Sequence, residues 1–186
     1  MNIPGKPDKH HVFLACFFFT AFAAFGQSYF GWVTQDANFR NGPGSNYDIL
    51  RTLPAGTQIF IFSATAENDF YKVKDIATDT DGYISRSLVR LGEVIPEQSE
   101  ERPIFDRGRS PEYNPQIEIS NNTDRTLSLT LNNERYTFSP RETKSITVLP
   151  GRYRYIASAA GVLPNVGNNN FESYYKYTWT FYIGTR

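Results

Sequence analysis

From Gln116 onward the chain alternates apolar and polar residues with a period of two. The apolar set runs Ile117 and Ile119; Leu127, Leu129 and Leu131; Tyr136 and Phe138; Ile146 and Val148; Tyr153, Tyr155 and Ala157; then Phe171, Tyr175, Tyr177, Trp179, Phe181 and Ile183. Alternation of this kind turns one face of a strand to a core and the other to solvent. It predicts six or seven short antiparallel strands, with Glu118, Ser128, Thr130, Glu134, Lys144, Arg152, Arg154, Lys176, Thr178 and Thr180 on the solvent face. Asn132-Asn133, Ser139–Glu142 and Pro150-Gly151 supply reversals between them. The stretch 161–170, GVLPNVGNNN, carries neither period and is expected to be a loop, a place where binding function is commonly carried.

The preceding half shows shorter apolar runs punctuated by Gly, Pro and Asn. Gln58-Ile59-Phe60-Ile61-Phe62 is apolar at every position after the first, so one face lies in a core and the other is covered by a loop or a partner. Asp81-Gly82 is expected to form a hairpin turn that presents Tyr83. Between Glu93 and Pro115, four prolines and nine charged residues interrupt any apolar period, which reads as a linker. No window carries a sustained helical stripe. The expected organisation is a leader over 1–26, a small β domain over 27–92, a linker over 93–115 and a second β domain over 116–186.

The leader is read from Lys6 and Lys9 ahead of the run Val12–Phe25, ending on Ala24-Phe25-Gly26, which is the pattern of a cleavable secretory signal peptide. This run of fourteen residues, apolar but for Thr20, reaches only about 21 Å as a helix, short of a hydrocarbon core of about 30 Å, so no membrane span is expected in the mature form. A retained anchor, or lipidation at Cys16, are the alternatives. Export places the protein in the periplasm, outside the cell or at the cell surface.

His10, His11 and Cys16 all fall within this leader. The mature chain then has no imidazole or thiol, which excludes Ser-His-Asp and Cys-His catalysis, Cys/His zinc sites and disulfides. No cofactor and no metal are expected. The 19 basic and 19 acidic residues balance, so charge gives no reason to expect nucleic acid as a partner. The acidic segment 75–81, DIATDTD, fails as a calcium loop, since it would need a carboxylate at Ala77 and a glutamate at Leu88; it reads as a solvated hairpin loop.

One set of residues carries more. Asn38-Phe39-Arg40 precedes the Gly42-Pro43-Gly44 turn; Tyr47, the pair Ile49-Leu50, Leu53 and the Gly56 turn follow, and then the strand 58–62. Phe70-Tyr71-Lys72-Val73 and Gly82-Tyr83-Ile84 come later in order. In this combination residues 31–91 resemble the bacterial SH3-like (SH3b) domain family. The departures are Phe70, where tryptophan is usual, and Tyr83 at the glycine–aromatic position.

The resemblance implies a small SH3-like barrel that is a non-catalytic binding module of exported bacterial proteins, with peptidoglycan or a peptide as ligand. Its candidate contacts are Asn38, Arg40, Asn41 and Tyr47 of the loop and the rings of Trp32, Tyr71 and Tyr83. The competing account ties Arg40 to carbonyls of its own turn and spends the rings on the core.

The second domain is expected to be an immunoglobulin-like β-sandwich, making the whole all-β. Tyr174, Lys176 and Tyr182 fall on the polar face of its last strand and form a second candidate contact. The leading function is an exported, non-catalytic binding or adaptor protein contacting peptidoglycan or an exported protein partner. The alternatives are a structural or interaction subunit of a surface or secretion assembly and, further off, a glycoside hydrolase working with carboxylates alone.

Overall fold

The computed structural model describes residues 26–98 and 105–183, so the expected leader lies outside the described residues except for Gly26. Among the described residues no helix is long and apolar enough to cross a membrane. The first domain is built from β1 (Tyr29–Val33), β2 (Ala37–Arg40), β3 (Ile49–Leu53), β4 (Gln58–Ile61), β5 (Phe70–Asp75), β6 (Thr80–Ser85) and β7 (Val89–Val94). They form one sheet in the order β3-β2-β6-β5-β4-β1-β7. Its inner face gathers Val33, Phe39, Leu53, Ile59, Ile61, Tyr71, Val73 and Ile84 into one core.

The second domain adds β8 (Asp106–Arg109), β9 (Gln116–Asn121), β10 (Leu127–Leu131), β11 (Glu134–Phe138), β12 (Thr143–Thr147), β13 (Gly151–Ala159), β14 (Val162–Phe171) and β15 (Tyr175–Phe181). Two four-stranded sheets, β11-β10-β13-β14 and β12-β9-β15-β8, enclose a single core drawn from both. The alternating residues Ile117, Ile119, Leu127, Leu129, Leu131, Phe138, Tyr155, Phe171 and Tyr177 all lie in it.

Several expectations are corrected. Strand β15 runs parallel to β9, so the sandwich is not wholly antiparallel. The stretch 161–170 is no loop: it is most of β14, paired along nearly its whole length with β13. Asparagine and glycine are poor strand formers, but tertiary pairing overrides such preferences. Pro164 is tolerated there because β14 is the last strand of its sheet. The reversal between β5 and β6 falls at 76–79, with Asp79 in the left-handed region at φ 55°, while Asp81-Gly82 stand inside β6. The expected linker includes the end of β7 and all of β8, which pairs with β15. Its Phe105 closes the sandwich core, 5.3 Å from Phe171 and 5.5 Å from Trp179, ring centre to ring centre.

The two domains dock. The outer face of β4 and β1 offers Phe60 and Phe30, which pack with Ile76 and Ile95 against Ile156 of β13 and Val166 of β14. Phe60 is fully buried, so the covering partner expected for the doubly apolar strand is the second domain. Arg154 and Ser128, expected on a solvent face, are buried here. Arg154 donates from Nε to Glu97 at 2.9 Å and from Nη2 to Ser28 Oγ at 2.7 Å. Backbone bonds cross as well, from Gly161 N–H to the Ile76 carbonyl at 2.7 Å and from Gln98 N–H to the Val166 carbonyl at 2.8 Å.

The acidic segment 75–81 is the electrostatic half of this contact. The buried Lys74 ammonium lies 2.8 Å from Asp79 Oδ1 and 2.7 Å from Asp81 Oδ1. Arg135, reaching from β11, sits 3.1 Å from Asp79 Oδ2 and 2.7 Å from Ser128 Oγ. Burial alone would push the Asp79 carboxyl up. Hydrogen bonds from Lys74, Ser128 and Ser158, with the Lys74 charge, outweigh that and hold it below the ordinary aspartate value. Asp79 and Asp81 are thus spent on docking, where a solvated loop was expected, while Asp75 is paired with Arg51 of β3.

Candidate functional site

The docked sandwich covers only part of the outer face of the first sheet. What it leaves open begins at the loop joining β2 to β3. Gly42-Pro43-Gly44 turns the chain, and the ring of Tyr47 lies directly on Gly42, where any Cβ would collide with it. The Arg40 guanidinium donates to the Tyr47 carbonyl at 2.7 Å, and the Asn41 N–H donates to the Asp48 carbonyl at 3.1 Å. Arg40 is therefore a positioning residue for the loop, as the competing account had it.

Tyr47 of this loop, and Ile49 and Leu50 at the start of β3, are large apolar side chains held out to solvent. Tyr47 is 42% exposed, Ile49 51% and Leu50 47%. Folding gains nothing from leaving these side chains wet, which makes them candidates for a contact surface. Ile49 and Leu50 entered the sequence reading only as part of the family pattern. Their exposure follows from β3 being the last strand of its sheet, a fact their apolar character conceals.

Beyond the loop the outer face continues as a row across neighbouring strands. Arg40 stands opposite Tyr83, Tyr83 opposite Lys72, and the Lys72 carbonyl accepts the Phe62 N–H at 3.1 Å. Residues directly opposite on paired strands share a face. Tyr83 is half-buried; burial, then the nearby Glu67, Tyr47 and Asp81, raise its phenol above the ordinary value. At neutral pH it keeps its proton and can donate to a ligand.

The remaining candidates divide. Asn38 is exposed on β2, and Asn41 lies beside Tyr47 in the loop with its amide 3.5 Å from Asp48. Tyr71 is 9% exposed and belongs to the core with Val73, so it cannot meet a ligand from outside. Trp32 stands on β1, three strands from β6 in the sheet order, with the Arg90 guanidinium 5.0 Å from its ring centre. It does not join the loop.

The second candidate set is dispersed. Tyr174 and Tyr182 are not on the last strand but flank the two ends of β15, eight residues apart, roughly 27 Å at ~3.4 Å per residue. Lys176 between them is paired with Glu118 at 3.1 Å. Tyr174 has a left-handed backbone at φ 63° and meets Tyr113 edge to face, with 5.5 Å between ring centres. Tyr182 is 73% exposed and stands apart.

The acids of segment 75–81 are held in ion pairs. Asp75 is bound by Arg51, and Asp79 and Asp81 share Lys74 and Arg135, so each of these acids is paired with a cation.

Residues 35–90 match the family model described as the bacterial SH3 domain. Neither a curated protein nor a solved structure matches the chain. The matched span runs from just before β2 to the start of β7 and includes the loop, Tyr83 and Lys72. Residues 35–90 are a bacterial SH3 domain, a non-catalytic binding module.

Proposed function

We propose that this is an exported binding or adaptor protein whose SH3 module holds cell-wall peptidoglycan, or the peptide of an exported partner, against Tyr47, Ile49, Leu50 and Tyr83. The observation that carries the reading is the exposure of three large apolar side chains, Tyr47 on a loop that Arg40 and Gly42 hold in place and Ile49 and Leu50 at the start of the strand that follows it. A preformed loop spends little entropy on ligand capture. Asn41 and the Tyr83 hydroxyl flank the apolar cluster and give polar groups of a ligand something to bond. Periplasmic or surface location, and removal of the leader over 1–26, belong to the same proposal.

Retention of purified protein on peptidoglycan at physiological salt tests it. Wild type is expected to be retained and a Tyr47→Ala/Ile49→Ser variant to flow through. Failure of the wild type to bind removes the wall as ligand. Copurification of an exported protein that depends on the same two side chains then supports the peptide. A second reading, a structural or interaction subunit of a surface or secretion assembly, is favoured by the exposed Tyr113–Tyr174 pair on the sandwich. It requires the binding to survive the loop variant and fail when Tyr113 and Tyr174 are both replaced.

A further inference from the structure

We propose that the cleft between the two domains is a second binding site, for a sugar that carries a carboxylate. The sandwich stops short of Phe62 and Lys72, and a cleft of 620 Å³ remains between the SH3 sheet and the β10–β11 hairpin. Its walls come from both domains. Phe62, Ser63, Thr65 and Lys72 stand on one side, and Thr130 and Asn133 on the other. Small-molecule sites favour such junctions, and a volume of this size lies within their usual range of about 300–1,000 Å³.

The charge in the cleft selects the ligand. Arg135 is held by Asp79 and Asp81, Asp81 also faces Lys74, and Arg154 is held by Glu97. The Lys72 ammonium is different: it lies 5.0 Å from the centre of the Phe62 ring and has no carboxylate partner among the described residues. Residue 72 is exposed, so the charge is available to a ligand. One uncompensated cation calls for one anion, and the rest of the wall specifies what surrounds that anion. Hydroxyls at Ser63, Thr65 and Thr130 and the amide at Asn133 can each donate and accept, which suits a ring bearing several hydroxyls better than an apolar chain. Phe62 supplies a half-buried apolar floor.

The site is separate from the loop surface, though the two are joined. The row Arg40–Tyr83–Lys72–Phe62 crosses three strand gaps, roughly 14 Å at ~4.8 Å each, and ends in the cleft. This site needs no assumption about what the loop binds.

The test is a titration of isotope-labelled protein, read by backbone amide shifts, with glucuronate, glucose and acetate as probes. Glucuronate is expected to shift the amides of Ser63, Lys72, Thr130 and Asn133 saturably, and glucose and acetate to bind at least about tenfold more weakly, as loss of a charge-assisted bond or of the hydroxyl contacts implies. Lys72→Met keeps the apolar stem over Phe62 and is expected to lower glucuronate binding to the level of glucose; Asn133→Ala, at an exposed turn, weakens it without unfolding. Tyr47→Ala, which should abolish retention by the loop, leaves these shifts unchanged. The proposal is overturned by glucuronate binding no better than acetate, by an unaffected Lys72→Met variant, by shifts confined to residues 41–50, or by no saturable shift at all.

Discussion

Replacing Phe60 by alanine removes a ring that is fully buried between two domains. Its neighbours are Ile76, Ile95, Ile156 and Val166, with the Phe62 ring edge-on at 5.1 Å. None of them belongs to the inner core of the SH3 sheet. A buried Phe→Ala change costs about 3–5 kcal/mol, from lost transfer free energy and the cavity left behind. For a unit of this size 1 kcal/mol moves Tm by roughly 2–4 °C, so even the lower figure predicts a fall of roughly 6–12 °C. Because the loss falls on the interface, urea unfolding should also separate into two transitions. Ile156→Ala acts on the same contact from the other side, and the pair should couple by about 0.5–3 kcal/mol in a double-mutant cycle. A cost below about 1 kcal/mol, the range of surface changes, with additive single effects, would mean that Phe60 is wet in solution and the domains merely tethered.

Three further outcomes follow from the same contacts. Arg40→Met removes the bond to the Tyr47 carbonyl and should cost only about 1 kcal/mol of stability, measured by urea unfolding, while weakening loop binding more than that figure explains. Gly82→Ala places a Cβ 2.5 Å from the Phe39 ring and 2.7 Å from the Arg40 carbonyl, an overpacking worth about 1–3 kcal/mol that thermal unfolding should register. The Asp79 carboxyl sits below its unfolded value of 3.8, so its contribution is complete above that pH and is lost as pH falls through the folded value. Acid should therefore open the interface before either core, seen as a rise in radius of gyration by X-ray scattering, and Asp79→Asn should remove that step at the expense of stability at neutral pH.

How far the residues announce this architecture depends on what alternation can say. It separates the two faces of a strand, and the sandwich core from Ile117 to Phe181 was legible for that reason. It does not say what covers the second face. Ser128 and Arg154 occupy polar positions of their strands, yet both are buried, because Asp79 and Arg135 bond Ser128, and Glu97 and Ser28 bond Arg154. Phe60 gave the converse signal, an apolar side chain on a face with no core of its own, and Ile156, on the polar face of β13 with Arg152 and Arg154, gave it again from the other side of the contact. At the site, the Gly-Pro-Gly turn made the position of Arg40 and Tyr47 readable. Tyr71 was misplaced although its parity with Val73, across the exposed Lys72, points it inward. Strand β14 was hidden because asparagine and glycine carry no strand signal until β13 lies beside them.

The most direct measurement is hydrogen exchange on the intact protein, alone and with soluble peptidoglycan fragments or a captured partner peptide. The account predicts added protection over residues 41–50 and at Tyr83, with the sandwich core unchanged. Protection confined to the sandwich, or full retention on the same ligand after Tyr47, Ile49 and Leu50 are all replaced, would contradict it.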